Sequence, residues 1–263
     1  MNITQDEVKD GVRARRFELD TGREIVPGMV WTPPGATGTR PKVLFGHGGS
    51  QHKKVSNIVA MARALVLEHA YACVAIDAVG HGDRVSEEER QRGREAAMER
   101  ERARQRAIET GEPIQRARTA TGTYPSIFLR TVEDWVDVLD ALEKLPDVGD
   151  GPTGWWGVSM GTGVGLPLVA GDARFTCAVF GLASAGPGNK RSPELAGTIR
   201  IPVLFLAQAH DGGHPVADAL RLWDSFGSVE KTLHLNPGPH VGIPQFEREA
   251  SVSFLARHLG SAR

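Results

Sequence analysis

Two hydrophobic patterns alternate along the chain. Short, continuously apolar runs such as residues 43–45 and 72–76 are typical of buried strands. Residues 57–69 lie between these two runs and carry apolar side chains at helical spacing. Because strands that alternate with helices are typical of βαβ units, the pattern predicts an α/β fold with a mostly parallel sheet of about eight strands flanked by helices.

The other predicted elements continue this order to the end of the chain. The predicted strands are residues 12–19, 24–31, 155–158, 175–180, 203–207 and 232–235. The predicted helices are residues 125–145, 161–170, 216–226 and 246–259. We find no internal repeat.

Residues 85–123 interrupt the alternation, because they are rich in Arg and Glu and contain no strand pattern. Ser86 and Glu89 have the spacing of a capping box, which predicts that a helix begins there. The near balance of acidic and basic residues favours a solvated helix over an arm that binds nucleic acid. We therefore predict a helical lid at residues 85–123 on a core formed by residues 1–84 and 124–263.

Composition excludes several classes of protein. The 263 residues carry a formal net charge of −1, which gives no electrostatic footprint for nucleic acid or a membrane surface. Cys73 and Cys177 each lie in an apolar run and predict buried thiols, too few for a disulfide framework or a four-thiolate zinc site. Residues 1–11 lack the pattern of a signal peptide, and no apolar run reaches the roughly 18 residues of a membrane span. We therefore expect a soluble cytoplasmic protein, with a homodimer as one option for its assembly.

A candidate nucleophile lies in the sequence Gly-Val-Ser-Met-Gly at residues 157–161. A strand is predicted before Ser159 and a helix of small residues after it, as required for a serine on a sharp strand-to-helix turn. The alternative is a glycine-rich structural turn, and the flanking elements favour the nucleophile. Ser159 is therefore the predicted nucleophile.

A serine nucleophile requires a histidine base, which in turn requires a carboxylate that orients it. The histidines after Ser159 are His210, His214, His234, His240 and His258. His234 lies within a predicted strand and His258 in the last predicted helix, whereas His240 lies in the loop after the last strand. Because a loop allows the imidazole to reach the serine, we predict His240 as the base.

Asp211 is the predicted carboxylate, because it follows a predicted strand at the sheet edge where α/β proteins bind ligands. Asp218 is the competing residue, but it falls inside the next predicted helix. His210 and His214 flank Asp211 and would suit zinc only on a helix, which the glycines between them and Pro215 disfavour. We therefore predict no metal site.

Two backbone N–H groups are needed to stabilise a tetrahedral oxyanion. Met160 is the first predicted donor, because it follows the serine at the start of a helix. Gly49 is the second, in a glycine-rich loop after the strand at residues 43–45, with Gly48 and Ser50 as alternatives. A phosphate-binding loop is the other interpretation, but the Gly-Lys-Ser/Thr ending of that motif is missing. The residues predicted to contact substrate are Gly48, Ser50, Tyr124, Phe128 and His214.

Together these motifs resemble the α/β-hydrolase superfamily, and most closely its serine esterases related to dienelactone hydrolase. The similar segments are the oxyanion loop at residues 47–49, the D-x-x-G-H-G sequence at 77–82, the nucleophile turn at 157–161, the acid loop at 211–215 and the histidine loop at 237–240. Ser159 stands where dienelactone hydrolase itself has cysteine. His214 stands where the acid loop usually has valine, which predicts a more polar pocket wall.

The resemblance implies an α/β-hydrolase fold and hydrolysis of a small-molecule carboxylic ester without a cofactor. Thioester, amide or carbon–carbon bond hydrolysis and acyl transfer remain alternatives, because the same three residues can perform them. A non-catalytic binding module on this fold would have lost one of the three residues. We expect no nucleic-acid or membrane partner.

Overall fold

A nine-stranded sheet lies at the centre of the structure, a computed structural model that describes residues 1–110, 125–186 and 189–260. The strands are β1 (Asn2–Lys9), β2 (Val12–Asp20), β3 (Ile25–Thr32), β4 (Lys42–Gly46), β5 (Ala72–Ile76), β6 (Thr153–Gly157), β7 (Phe175–Gly181), β8 (Val203–Gln208) and β9 (Lys231–Asn236). Their spatial order is β1-β2-β3-β5-β4-β6-β7-β8-β9. Strands β4 to β9 are parallel, whereas β1, β2 and β3 pair antiparallel.

Helices cover both faces of the sheet. The helices are α1 (Ser56–His69), α2 (Glu87–Thr110), α3 (Ser126–Leu142), α4 (Met160–Gly171), α5 (Arg191–Thr198), α6 (Val216–Ser225) and α7 (Phe246–Leu259). Helices α1 and α7 pack on one face, and α3 to α6 pack on the other. This is the arrangement that buries a parallel sheet on both sides.

The central strands are buried along their whole length, which explains their continuous apolar runs. Successive side chains of β6 point to opposite faces of the sheet. Trp155 therefore lies in the hydrophobic core beneath α3 and α4, and Trp156 lies in the core beneath α1 and α7. Trp155 also meets Trp135 of α3 edge to face, with ring centroids 5.6 Å apart.

The structure confirms the α/β prediction and the predicted strands and helices, with ends that differ by a few residues. The sequence pattern missed β1 and α5. Every residue of β1 is exposed, so the strand shows none of the alternation that identifies a half-buried strand.

Helix α2 lies in the segment predicted as a lid. The capping box is present, because the Ser86 N–H donates to Glu89 Oε2 at 2.8 Å and the Glu89 N–H donates to Ser86 Oγ at 3.2 Å. Its solvated side chains form ion pairs such as Arg94 with Glu87 and Arg106 with Glu99, each at 3.0 Å. Residues 111–124 lie outside the described part of the chain, so the predicted end of the lid does too.

Both cysteines are buried and unpaired, as predicted. Burial raises the pKa of the Cys177 thiol to about 12, which makes it inert as a nucleophile. Among the helices that the structure describes, none combines the length and the apolar character needed to cross a membrane.

Candidate active site

Ser159 occupies the sharp turn between β6 and α4, as the sequence predicts. Its backbone has φ 57° and ψ −118°, a conformation that is strained for a residue with a Cβ. The neighbouring strand β7 holds the turn in place, because the Ser159 N–H donates to Gly181 O at 2.8 Å. The Gly181 N–H in turn donates to Thr162 Oγ1 at 2.9 Å, which ties the first turn of α4 to the same strand.

Glycine at position 161 allows α4 to approach the sheet. A Cβ at Gly161 would lie 2.3 Å from Gly46 O, well inside contact distance. A Cβ at Gly157 would similarly lie 2.8 Å from Gly161 O. The glycines of the motif therefore bring the start of α4 against the end of β4, where the predicted oxyanion loop begins.

The structure brings Ser159, His240 and Asp211 together in one chain of hydrogen bonds. Ser159 Oγ lies 2.9 Å from His240 Nε2, and His240 Nδ1 lies 2.6 Å from Asp211 Oδ2. Because an ionised carboxylate only accepts hydrogen bonds, His240 Nδ1 is the donor to Asp211. In the neutral imidazole, Nε2 is then free of a proton and accepts the hydroxyl proton of Ser159.

Asp211 is buried but held in its ionised form. Burial raises the pKa of its carboxyl, yet the hydrogen bond from His240 and the nearby His240 and His214 rings together lower the pKa below its usual value. The other carboxylate oxygen, Oδ1, accepts the N–H groups of Gly213 at 2.8 Å and His214 at 3.0 Å. The acid loop thus fixes the carboxylate on both sides.

The competing residues lie elsewhere. Asp218 is on α6 and pairs with Arg221. His234 is on β9 and lies 2.8 Å from Glu247 Oε2. His258 packs against Phe254 on α7, and His210 is exposed. Of the competing histidines and aspartates, the fold therefore connects His240 and Asp211 to Ser159.

The predicted oxyanion donors lie on adjacent elements. Met160 is the first residue of α4, where the N–H groups have no partner within the helix. Gly49 is exposed in the loop after β4, and the space at its Cβ position is open. The N–H of Gly48 instead donates to Gln51 Oε1 at 3.0 Å, which favours Gly49 over Gly48 as the second donor.

His47 stabilises this loop, a role that the sequence analysis did not predict. Its Nε2 accepts the N–H of Ala78 at 3.0 Å, and its Nδ1 donates to Gly48 O at 2.8 Å. Burial lowers the pKa of His47 to about 4, so the ring remains neutral and keeps both hydrogen bonds. The His-Gly-Gly motif marked the loop but not this function of its histidine.

Lys53 and Asp77 form a second anchor that sequence reasoning missed. Lys53 Nζ lies 2.5 Å from Asp77 Oδ2 and 2.6 Å from Asp83 Oδ2. The Lys53 N–H also donates to Asp77 Oδ1 at 2.8 Å. Asp77 opens the D-x-x-G-H-G segment after β5, and this resemblance was the only sequence signal for it.

The residues predicted to contact substrate have different surroundings. The His214 ring stacks on His240, with centroids 5.3 Å apart, and its Nδ1 lies 2.9 Å from Ser184 Oγ. Phe128 of α3 packs against α4 at Gly163. A Cβ added at Gly163 would lie 2.5 Å from the Phe128 ring. Tyr124 lies outside the described residues.

Helix α2 contacts two loops of the site. Ser50 Oγ, in the loop after β4, donates to Gly93 O at 3.2 Å. Further along α2, the Arg104 guanidinium lies close to Gly213 of the acid loop. A Cβ added at Gly213 would lie 3.0 Å from Arg104 Cζ. The helix therefore spans the distance between the predicted oxyanion loop and the acid loop.

Comparisons with solved structures identify similar folds over nearly the whole chain. A cold-adapted esterase from an Arctic intertidal metagenomic library, in a complex with polyethylene glycol, is 32% identical with a TM-score of 0.75, and the match covers 98% of each chain. Acetyl xylan esterase from Paenibacillus sp. R4 is 17% identical with a TM-score of 0.69, over 98% of this chain and 88% of that one. Dienelactone hydrolase from Anabaena variabilis is 16% identical with a TM-score of 0.61, over 95% and 100% of the two chains.

No family model matches the sequence, and no curated protein matches it. The two more distant structures show that the fold is shared, and they agree with the resemblance that the sequence motifs indicated. The Arctic esterase adds similarity of sequence along the full chain. The protein therefore belongs to the α/β-hydrolase superfamily and, within it, to the carboxylic ester hydrolases.

Proposed function

We propose that this enzyme hydrolyses its ester through an acyl intermediate on Ser159, with His240 as general base and Asp211 as the orienting carboxylate. The observation that carries the proposal is the unbroken hydrogen-bond chain from Ser159 Oγ through both nitrogens of His240 to Asp211. Such a chain activates a hydroxyl that is otherwise a weak nucleophile.

In the first half-reaction, Ser159 Oγ attacks the carbonyl carbon while His240 Nε2 takes the hydroxyl proton. The tetrahedral intermediate then collapses, the bond to the alcohol oxygen breaks, and His240 delivers the proton to the leaving alcohol. Asp211 stabilises the imidazolium that exists between these two steps, because its carboxylate lies 2.6 Å from His240 Nδ1.

In the second half-reaction, water attacks the acyl carbon on Ser159 and gives its proton to His240 Nε2. Collapse of this second tetrahedral intermediate releases the carboxylic acid and returns the proton to Ser159 Oγ. The enzyme is then ready for another substrate, and the balance of atoms requires only ester and water.

The N–H groups of Gly49 and Met160 stabilise the negative oxygen of both intermediates in this proposal. Removing one such donor costs roughly 3 kcal/mol of transition-state stabilisation in other serine hydrolases. The N-terminus of α4 adds its positive dipole end at the same point, since Ser159 immediately precedes the helix.

Helix α2 serves as a lid over this site in the same proposal. Its contacts with Ser50 and with the acid loop at Gly213 support this function, because a lid must reach both sides of the pocket entrance. Lids exclude water and select substrates by shape.

The test is the Ser159→Ala variant. We expect turnover of a p-nitrophenyl ester to fall by at least about a thousandfold, because the group that forms the covalent bond is missing. Circular dichroism should show an unchanged fold. A fluorophosphonate should add one adduct to the wild-type mass, located at Ser159 by peptide mapping, and no adduct to the variant.

Thr162→Ser is the matched control, because it keeps a hydroxyl next to the turn and leaves Ser159 in place. This control should still form the adduct. Turnover of Ser159→Ala within tenfold of the wild type, or an adduct on another residue, would contradict the proposed mechanism.

A further inference from the structure

One cavity of the molecule is lined by residues outside the proposed active site. It has a volume of about 550 Å³, and its walls come from β1, β2, the loop after β4, the loop at Asp83 and the first turns of α2. Neither Ser159, His240 nor Asp211 lines it. Its size is within the usual range for small-molecule sites, roughly 300–1,000 Å³.

Basic side chains dominate the walls of this cavity. The basic residues are Arg16, Lys53, Lys54, Arg90 and Arg94. The acidic residues among the lining side chains are Asp83 and Glu87. The walls therefore carry more positive than negative charge.

Asp83 is shared by three of these bases. Its carboxylate lies 2.6 Å from Lys53 Nζ, 3.2 Å from Arg16 and 3.1 Å from Arg90. Burial raises the pKa of Asp83, but its hydrogen bond from Lys53 and the charges of Lys53, Arg16 and Arg90 lower the pKa below its usual value. Asp83 is therefore ionised, and its single negative charge is shared by three positive side chains.

Glu18, Asp77 and Glu87 also pair with these bases, and Glu18 lies 3.7 Å from Arg16. Asp77 is fully buried, does not line the cavity and lies 2.5 Å from Lys53 Nζ. Glu87 is shared between Arg90 at 2.6 Å and Arg94 at 3.0 Å. Each guanidinium has five donors, so an Arg that uses some of them on Glu87 can still bind an anion.

We propose that this cavity binds a small polyanion that carries phosphate or carboxylate groups. The guanidinium groups of Arg90 and Arg94 are planar and can each donate two hydrogen bonds to one phosphate or carboxylate group. Lys54 adds an exposed positive charge to the lining of the cavity. Lys53 also lines the cavity, but only 3% of its side chain is exposed, and Asp77 and Asp83 hold it in place and compensate its charge.

The ligand would join α2 to the body of the enzyme. Arg90 and Arg94 belong to α2, whereas Arg16 and Lys54 belong to the sheet and to the loop after β4. A ligand that binds both groups stabilises the folded protein by mass action and holds α2 against the loop that contains Gly49.

The test measures binding of pyrophosphate and of citrate to the full-length enzyme by isothermal titration calorimetry. The variant is Lys54→Gln with Arg94→Gln, which removes two charges from the walls and none from the proposed active site. Arg106→Gln is the matched control, because Arg106 lies on the same helix and pairs with Glu99 at the same 3.0 Å as Arg94 with Glu87.

We expect the wild type and Arg106→Gln to bind at least one probe with a Kd below about 1 mM, and the double variant to bind it at least about tenfold more weakly. The same probe should raise the Tm of the wild type but not that of the double variant. Retained turnover of a short ester shows that the double variant is folded.

The two probes distinguish the source of the anion. Tighter binding of pyrophosphate identifies a phosphate site, and tighter binding of citrate identifies a carboxylate site. The proposal would be overturned by equal affinity in all three proteins, or by a wild type that binds neither probe with a Kd below about 1 mM.

Discussion

At the scale of single residues, the ionisation of the site depends on where each charge is buried. Asp211 is buried, and burial alone would favour its neutral form. The hydrogen bond from His240, the neighbouring imidazole rings and the N–H of Gly213 outweigh that effect and lower its pKa. The carboxylate therefore remains charged throughout the range in which an imidazole can act as a base.

This arrangement predicts how the rate depends on pH. Because Asp211 stays ionised, only protonation of the imidazole base should reduce the rate as the pH falls. We expect kcat/KM for a p-nitrophenyl ester to rise through a single ionisation between about pH 5 and 8 and then to level off. A rate that is flat over this range would contradict a histidine base.

Asp211→Asn tests the function of the carboxylate in turnover of the same p-nitrophenyl ester. The amide presents no charge to the imidazolium and can favour the wrong tautomer of His240, so we expect kcat to fall by about a thousandfold or more.

The ionised Asp211 carboxylate also stabilises the folded protein at pH values above the pKa that this carboxyl has in the unfolded chain. That stabilisation should be lost as the pH falls through the lowered native pKa.

A second prediction at this scale concerns the close approach of α4 to β4. Gly161→Ala would put a Cβ 2.3 Å from Gly46 O, and a backbone atom cannot move aside as a side chain can. We expect a loss of several kcal/mol in the free energy of unfolding, measured by urea denaturation, because overpacking forces the backbone to shift.

The control is Gly171→Ala at the other end of the same helix, where nothing beyond the adjacent backbone of the helix lies within 4 Å of the added Cβ. This change should leave the free energy of unfolding within about 1 kcal/mol of the wild-type value. Equal effects at the two positions would show that the contact with Gly46 is not the cause.

At the scale of elements, α2 differs from every other helix in the described chain by its composition. It is mostly polar, its apolar residues are chiefly alanine, and Met98, its largest described apolar side chain, is 55% exposed. A helix that buries so little apolar surface draws its position from a few polar contacts, such as Ser50 with Gly93 O. Such an element can open without disrupting the core.

Replacing residues 88–118 with a short Gly-Ser linker tests the proposed lid. We expect a folded protein whose turnover of p-nitrophenyl acetate falls less than its turnover of a bulkier ester, because the lid selects by shape. Circular dichroism and kcat/KM for the two esters provide the measurement. An unfolded product, or an equal loss on both esters, would instead indicate that α2 is a structural part of the core.

At the scale of the whole molecule, the Lys53–Asp77 pair connects the loops that follow two neighbouring strands. Asp77 is fully buried at the end of β5, and Lys53 reaches it from the loop after β4. A buried pair adds little by itself, but removal of one partner leaves an uncompensated charge in the interior. Lys53→Met should therefore destabilise the protein by about 3–5 kcal/mol in urea denaturation.

Lys54→Met is the matched control, because Lys54 is the adjacent lysine and is exposed. Its substitution should change the free energy of unfolding by no more than about 0.5 kcal/mol. If Lys53→Met is as stable as this control, the buried pair does not hold the two loops together. Restoration of stability by Asp77→Asn in the Lys53→Met background would support the pair directly.

Much of the fold could be predicted because strand and helix periodicities depend on local sequence. The buried strands β4, β5 and β8 and the helices α1 and α7 were predicted to within two residues at each end. Strand β1 could not be predicted, because it is stabilised by hydrogen bonds to β2 rather than by burial of its side chains. Its exposed sequence therefore has no hydrophobic signal.

The sequence by itself determined the order of the elements, the candidate nucleophile, base and acid, and the start of α2 at its capping box. These features depend on residue type and spacing along the chain. Only the tertiary structure decided that His240 lies against Ser159 and Asp211 against His240, that His47 and Lys53 support the predicted oxyanion loop, and that basic residues from distant segments line one cavity. The physical reason is that hydrogen bonds and charges act through space, and folding brings together groups that the sequence separates.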